Sequence, residues 1–158
     1  MTELRFARTV EAALRGAQTA VLFAPGSRLK KGWLRKAVYA DWTRCLAQAA
    51  KGASAGPRGK LVVAQNPDAG PEVLALGVLP DNVSRHNCAA RSTVADELMR
   101  RVELRPGTTT VVLCVEKPAH ALPLARAIGR ALPEYTRSTE KQRKTTVRFV
   151  CVRPDGKT

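Results

Sequence analysis

The side chains able to do chemistry are few and scattered: Cys45, Cys88, Cys114 and Cys151, with His86 and His120 far apart in the chain. Neither histidine belongs to an H-E-x-x-H pair, and no C-x-x-C pair occurs, so a helical zinc-protease site and a structural zinc knot both lack their ligands. There is no G-x-S-x-G elbow for a nucleophilic serine and no phosphate-cradling P-loop. There is also no G-x-G-x-x-G turn for a dinucleotide. Cys88 would act as a nucleophile only if a neighbouring group favoured its thiolate. The other three cysteines sit inside apolar segments and read as buried, reduced thiols, which suits a reducing cytoplasm.

Three polar clusters remain. Ser84, Arg85, His86 and Asn87 stand just ahead of an expected helix, where free N–H groups attract an anion or a substrate. The same four residues also suit plain helix initiation, with Asn87 or a nearby hydroxyl as the cap. Glu116 and Lys117 follow a strand expected in the sheet centre, and ligands of open α/β sheets bind beyond the carboxyl ends of such strands. An ordinary strand-to-helix turn accounts for them equally. Arg137, Lys141, Arg143, Lys144 and Arg148 form the densest basic stretch, opposed only by Glu140 and preceded by Tyr135. A nucleic-acid contact would use such a cluster with a stacking aromatic. A solvated loop leading into a lysine-protected edge strand would look the same.

Positioning these groups requires a frame, and the apolar pattern supplies one. Residues 4–8 alternate as a first strand, and residues 10–17 are weakly helical. Ala20-Val21-Leu22-Phe23-Ala24 is a continuous apolar run closed by Pro25-Gly26, the mark of a buried strand and a turn. Leu34, Val38, Trp42, Cys45, Leu46 and Ala49 make one helical stripe that stops at Gly52, before a Gly/Ala/Pro-rich loop over residues 52–59. Two short apolar runs, 60–65 and 72–79, flank the turn residues Asn66-Pro67-Asp68-Ala69-Gly70-Pro71 and predict a hairpin. A helix over residues 90–102 carries Val94, Leu98 and Val102, and Thr93 with Asp96 stands in the spacing of a capping box. Residues 109–115, β-branched and apolar, predict a central strand. Pro118 opens a helix bearing Leu124, Ile128 and Leu132, which Pro133 ends. Residues 145–152 are the last strand.

The expected fold is therefore α/β: a mixed sheet of about six strands with helices on both faces, forming one domain over residues 1–158. No apolar run is long enough to span a bilayer, and the first residues lack the apolar core of a secretory signal. The balance of 27 basic against 13 acidic residues gives a net charge of +14, which favours polyanions or an acidic partner domain.

Leu79-Pro80-Asp81-Asn82-Val83-Ser84-Arg85-His86-Asn87 resembles the N-terminal domain of the leucyl (cytosol) aminopeptidase family, closest to its divergent probable-aminopeptidase-like branch. Val112-Leu113-Cys114-Val115-Glu116-Lys117-Pro118 is similar to that branch's strand and turn. Residues 125–138 and Lys144-Thr145-Thr146-Val147-Arg148-Phe149 continue the likeness. Before residue 60 it rests on the order of elements.

The resemblance implies a macro-like fold that precedes a C-terminal catalytic domain with two divalent metals (zinc or manganese), a catalytic lysine and an arginine. It implies a cytoplasmic hexamer that removes N-terminal amino acids from peptides, with the N-terminal domain aiding assembly and shaping access to the active sites. Some bacterial relatives also bind DNA. The family's N-T-D-A-E-G-R metal motif has no counterpart before Thr158, where the connection to a catalytic domain is expected. The chain alone is thus expected to hold no catalytic residue, metal or cofactor. A basic nucleic-acid module and a macro-like nucleotide binder are the competing functions.

Overall fold

The computed structural model describes residues 2–30, 56–65, 70–82, 88, 90–132, 145–153 and 157–158. The helix expected over residues 34–49 lies outside them. So do Cys45, Ser84, Arg85, His86, Asn87, Arg137, Lys141, Arg143 and Lys144.

The described chain runs β1 (Thr2–Phe6), α1 (Val10–Leu14), β2 (Thr19–Pro25), α2 (Gly26–Lys30), β3 (Lys60–Gln65) and β4 (Val73–Leu79). It continues through α3 (Ser92–Met99), β5 (Thr108–Cys114), a 3-10 turn (Pro118–His120), α4 (Ala121–Ala131) and β6 (Thr145–Val152). The six strands form one sheet in the order β1-β6-β5-β2-β4-β3. All neighbours are parallel except β3 and β4, which form the expected hairpin with Lys60 opposite Val78 and Gln65 opposite Val73.

Burial explains the missing alternation. Every residue of β2 and β4 is buried, because each strand feeds two cores. Ala20, Leu22, Ala24, Leu74, Leu76, Val78, Val112 and Val150 pack beneath α1, with Leu29 of α2 against them. Val21, Phe23, Ala75, Val111, Leu113 and Phe149 pack on the other side against Val94, Leu98 and Met99 of α3 and Leu124 and Ile128 of α4. Helices thus cover both faces. β3 behaves differently. Lys60, Val63 and Gln65 are exposed, as befits an edge. Gly59 leads into it at φ +68°, and a Cβ there would stand 2.7 Å from Val94 Cγ1 and 2.8 Å from the Val78 carbonyl. That corner passes beneath α3 only because it has no side chain.

Two local expectations are corrected. β6 is not an edge strand, since it lies between β1 and β5. Its Arg148 does not mark exposure: the guanidinium donates to the carbonyl oxygens of Arg15 (2.6 Å) and Ala13 (3.4 Å) at the end of α1. A cation at a helix C-terminus satisfies carbonyls that the helix cannot. The capping box is also absent. α3 starts at Ser92 after Arg91, and Asp96 instead binds Arg100 one turn on, at 3.0 and 3.2 Å. That exposed pairing contributes only a few tenths of a kcal/mol.

Candidate functional site

The chain leaves β2 toward β3 on one side of the sheet and leaves β5 toward β6 on the other, and β2 and β5 are neighbours. Their carboxyl ends are therefore the topological switch point, the place where this fold class offers a crevice. β2 ends at Pro25 and opens directly into α2 at Gly26. β4 ends beside it, followed by Pro80 and Asp81, and β5 ends at Cys114 before Glu116. The start of α3 comes from the same side.

The centre of this crest is Arg91, a residue that belongs to no motif in the sequence. It is 4% exposed and holds a left-handed backbone, φ 53°. Its Nε donates to the Pro80 carbonyl. One terminal nitrogen donates to the Asp81 carbonyl at 3.0 Å, and the other reaches Glu116 Oε2 at 3.3 Å. The planar fork of arginine suits this convergence of acceptors. The only hint in the sequence was negative: a cation directly ahead of a helix opposes the helix dipole, so something else must hold it there.

Glu116, expected beyond the carboxyl end of a central strand, lies there and pairs with Arg91. Asp81 Oδ1 accepts the Ser27 amide at 2.8 Å, so the first turn of α2 already receives a carboxylate from this chain. An incoming phosphate would have to displace it. Among the described residues no three His, Cys, Asp or Glu side chains converge as a metal set. The two carboxylates at the crest are both engaged, so the site does not fit a dinuclear metal centre. Of the basic stretch only Arg148 is described, and it serves α1.

Cys88 lies at the rim. Its sulfur is 3.7 Å from the Ser92 hydroxyl. Hydrogen bonding from Ser92, first its amide and then its hydroxyl, lowers the thiol's pKa from the ordinary value. Burial pushes Cys114 and Cys151 the other way, Cys114 strongly, with the nearby Cys151 adding to it. Iodoacetamide at neutral pH is therefore expected to label Cys88 at least about tenfold faster than Cys114 or Cys151 in the folded chain. Peptide mass mapping over time checks this, and equal rates would contradict the geometry.

Residues 48–141, more than half of the chain, match the family model for M17 aminopeptidase N-terminal domain 2. The chain belongs to that family. Solved structures agree with the M17 assignment in fold. The leucyl aminopeptidase of Leishmania major superposes with a TM-score of 0.69 at 19% identity, over 94% of this chain and 29% of that one. The leucine aminopeptidase of Caenorhabditis elegans gives 0.63 at 16% identity, over 94% of this chain and 31% of that one. The M17 chain thus spans about a third of these enzymes. The macrodomain of Thermus aquaticus DarG matches with a TM-score of 0.51 at 15% identity, over 94% of this chain and 99% of that domain, so the fold is macro-like. A search of curated proteins gives no match.

Proposed function

We propose that this M17 N-terminal domain is a non-catalytic assembly and access domain of a leucyl-aminopeptidase-type dinuclear metallopeptidase. The family match over residues 48–141 carries the reading. The geometry supports it, because the polar groups described at the switch point bind within the chain: Arg91 to Glu116 and two carbonyls, the Ser27 amide to Asp81. The two zinc or manganese ions and the catalytic lysine and arginine then belong to a C-terminal catalytic domain. That domain and further copies in a hexamer are the domain's partners. A reducing cytoplasm accommodates Cys88, Cys114 and Cys151, which are free thiols. No helix among the described residues is long and apolar enough to cross a membrane.

The net charge of +14 favours a second reading, a nucleic-acid contact through the basic stretch at Arg137, Lys141, Arg143 and Lys144. A macro-like nucleotide site is supported less, because the amide that would meet a phosphate is taken.

One experiment separates these. The purified chain, with and without manganese or zinc, is expected to leave leucine p-nitroanilide unhydrolysed and to show no shift of duplex DNA at low salt. Metal-dependent turnover by this chain alone overturns the proposal. DNA retention that weakens steeply with salt moves the function to the second reading.

A further inference from the structure

We infer that the outer edge of β1 pairs antiparallel with β1 of a second copy of this chain, centred on Leu4, to join the two described six-stranded sheets into one across a two-fold axis. The inference does not depend on the aminopeptidase reading.

Among the described residues β1 is the outer strand of the sheet. The Ala7 amide donates to the Phe149 carbonyl at 2.8 Å. In a ladder, successive residues turn their backbone groups to opposite sides. Residues 3, 5 and 7 therefore face β6, and the N–H and C=O groups of Thr2, Leu4 and Phe6 face outward. An exposed edge of this kind is a template for another strand. The side chains make it an unusual one, because Leu4 is 50% and Phe6 69% exposed. Both lie on the α4 side: Phe6 tilts against Phe149 with ring centroids 5.6 Å apart, and Leu4 lies 3.7 Å from where a Cβ of Gly129 would be. Leu122, 59% exposed, stands on the same α4 stripe as Gly129, two turns earlier. Exposed apolar side chains thus flank the edge.

Charge selects the occupant. On the other side of β1, Glu3 and Arg5 alternate and bind each other at 2.8 Å. An antiparallel partner centred on Leu4 sets Leu4 against Leu4 and Thr2 against Phe6, all outward-facing residues that exchange N–H···O bonds. Glu3 of one copy then falls opposite Arg5 of the other, in the non-hydrogen-bonded position where side chains come closest. The strand is therefore complementary to itself in hydrogen bonding, apolar surface and charge, as a two-fold interface requires. The opposite edge lacks this property: β3 begins with Lys60 and carries no acid.

The test is sedimentation of the 158-residue chain at rising concentration, with hydrogen exchange of the Leu4 and Phe6 amides. A dimer is expected, with those two amides protected as it forms. Glu3→Arg alone and Arg5→Glu alone each place like charges opposite one another, and each is expected to weaken the dimer about tenfold or more. An equimolar mixture of the two variants restores dimerisation, and so does the double variant Glu3→Arg/Arg5→Glu. Leu4→Pro removes an outward amide without touching the β6 ladder, so it gives a folded monomer. A wild-type chain that stays monomeric at about 1 mM, or a dimer indifferent to the single charge reversals, overturns the inference. Failure of the mixture to restore the dimer does so too.

Discussion

Phe23→Ala is expected to remove about 3–5 kcal/mol of stability, and Gly77→Ala about 1–3 kcal/mol, but the two sites are not independent. Phe23 is fully buried in the middle of β2. It pairs across the parallel ladder with Gly77 of β4 on one side and Leu113 of β5 on the other. A Cβ at Gly77 would stand 2.5 Å from both Cδ1 and Cε1 of the Phe23 ring. The ring therefore lies where the side chain of residue 77 would be, and the methyl of alanine has no vacant volume to enter. Glycine in a strand interior normally weakens it. Here the aromatic side chain fills the gap and more than offsets that cost. The consequence is a double-mutant cycle with a definite sign. In a Phe23→Leu background Gly77→Ala should cost little or become stabilising, with a coupling of about 1–3 kcal/mol. Urea unfolding of the four proteins measures it, and strictly additive losses would show that the ring does not depend on that glycine.

The pairing also shows what the sequence could convey. The run Ala20-Val21-Leu22-Phe23-Ala24 announced a buried strand, and Val73-Leu74-Ala75-Leu76-Gly77-Val78-Leu79, which does not alternate, announced one covered on both faces. The turn residues between β3 and β4 announced a hairpin, since adjacent antiparallel strands need only a local connection. Strand order was not legible. It depends on which face each crossover helix covers, and that is decided by packing between segments far apart in the chain. The same limit explains Arg148 and Arg91. A basic residue in a strand looks like an edge signal until α1 arrives to present its terminal carbonyls to Arg148. Asp96 looks like a capping partner until Arg100 competes for it. Glu116 was legible as a residue beyond a central strand's carboxyl end because that place depends only on following the strand. Its role was not, because its partner lies 25 residues away.

Arg91→Ala is expected to cost about 2–4 kcal/mol. Charged hydrogen bonds to buried acceptors contribute about 1.5–3 kcal/mol each, and losing one member of a buried ion pair is costlier still. The lower part of that range applies here, because Glu116 is about a third exposed and water can replace some of what it loses. The Pro80 carbonyl is buried and has no such recourse. The backbone offers a way to separate the guanidinium from the turn that carries it. A left-handed residue with a Cβ costs about 1–2 kcal/mol, which glycine avoids. Arg91→Gly should therefore be less damaging than Arg91→Ala by about 1 kcal/mol, although both lose every side-chain bond. Arg91→Lys keeps the charge and the backbone cost but cannot span the two carbonyls and Glu116 at once, so it should fall between wild type and alanine. Chemical denaturation of the three variants gives the order Lys, Gly, Ala from most to least stable if the forked contact dominates. Should Arg91→Gly match wild type, relief of backbone strain would offset the loss of every guanidinium bond, and the forked contact would add nothing net to stability.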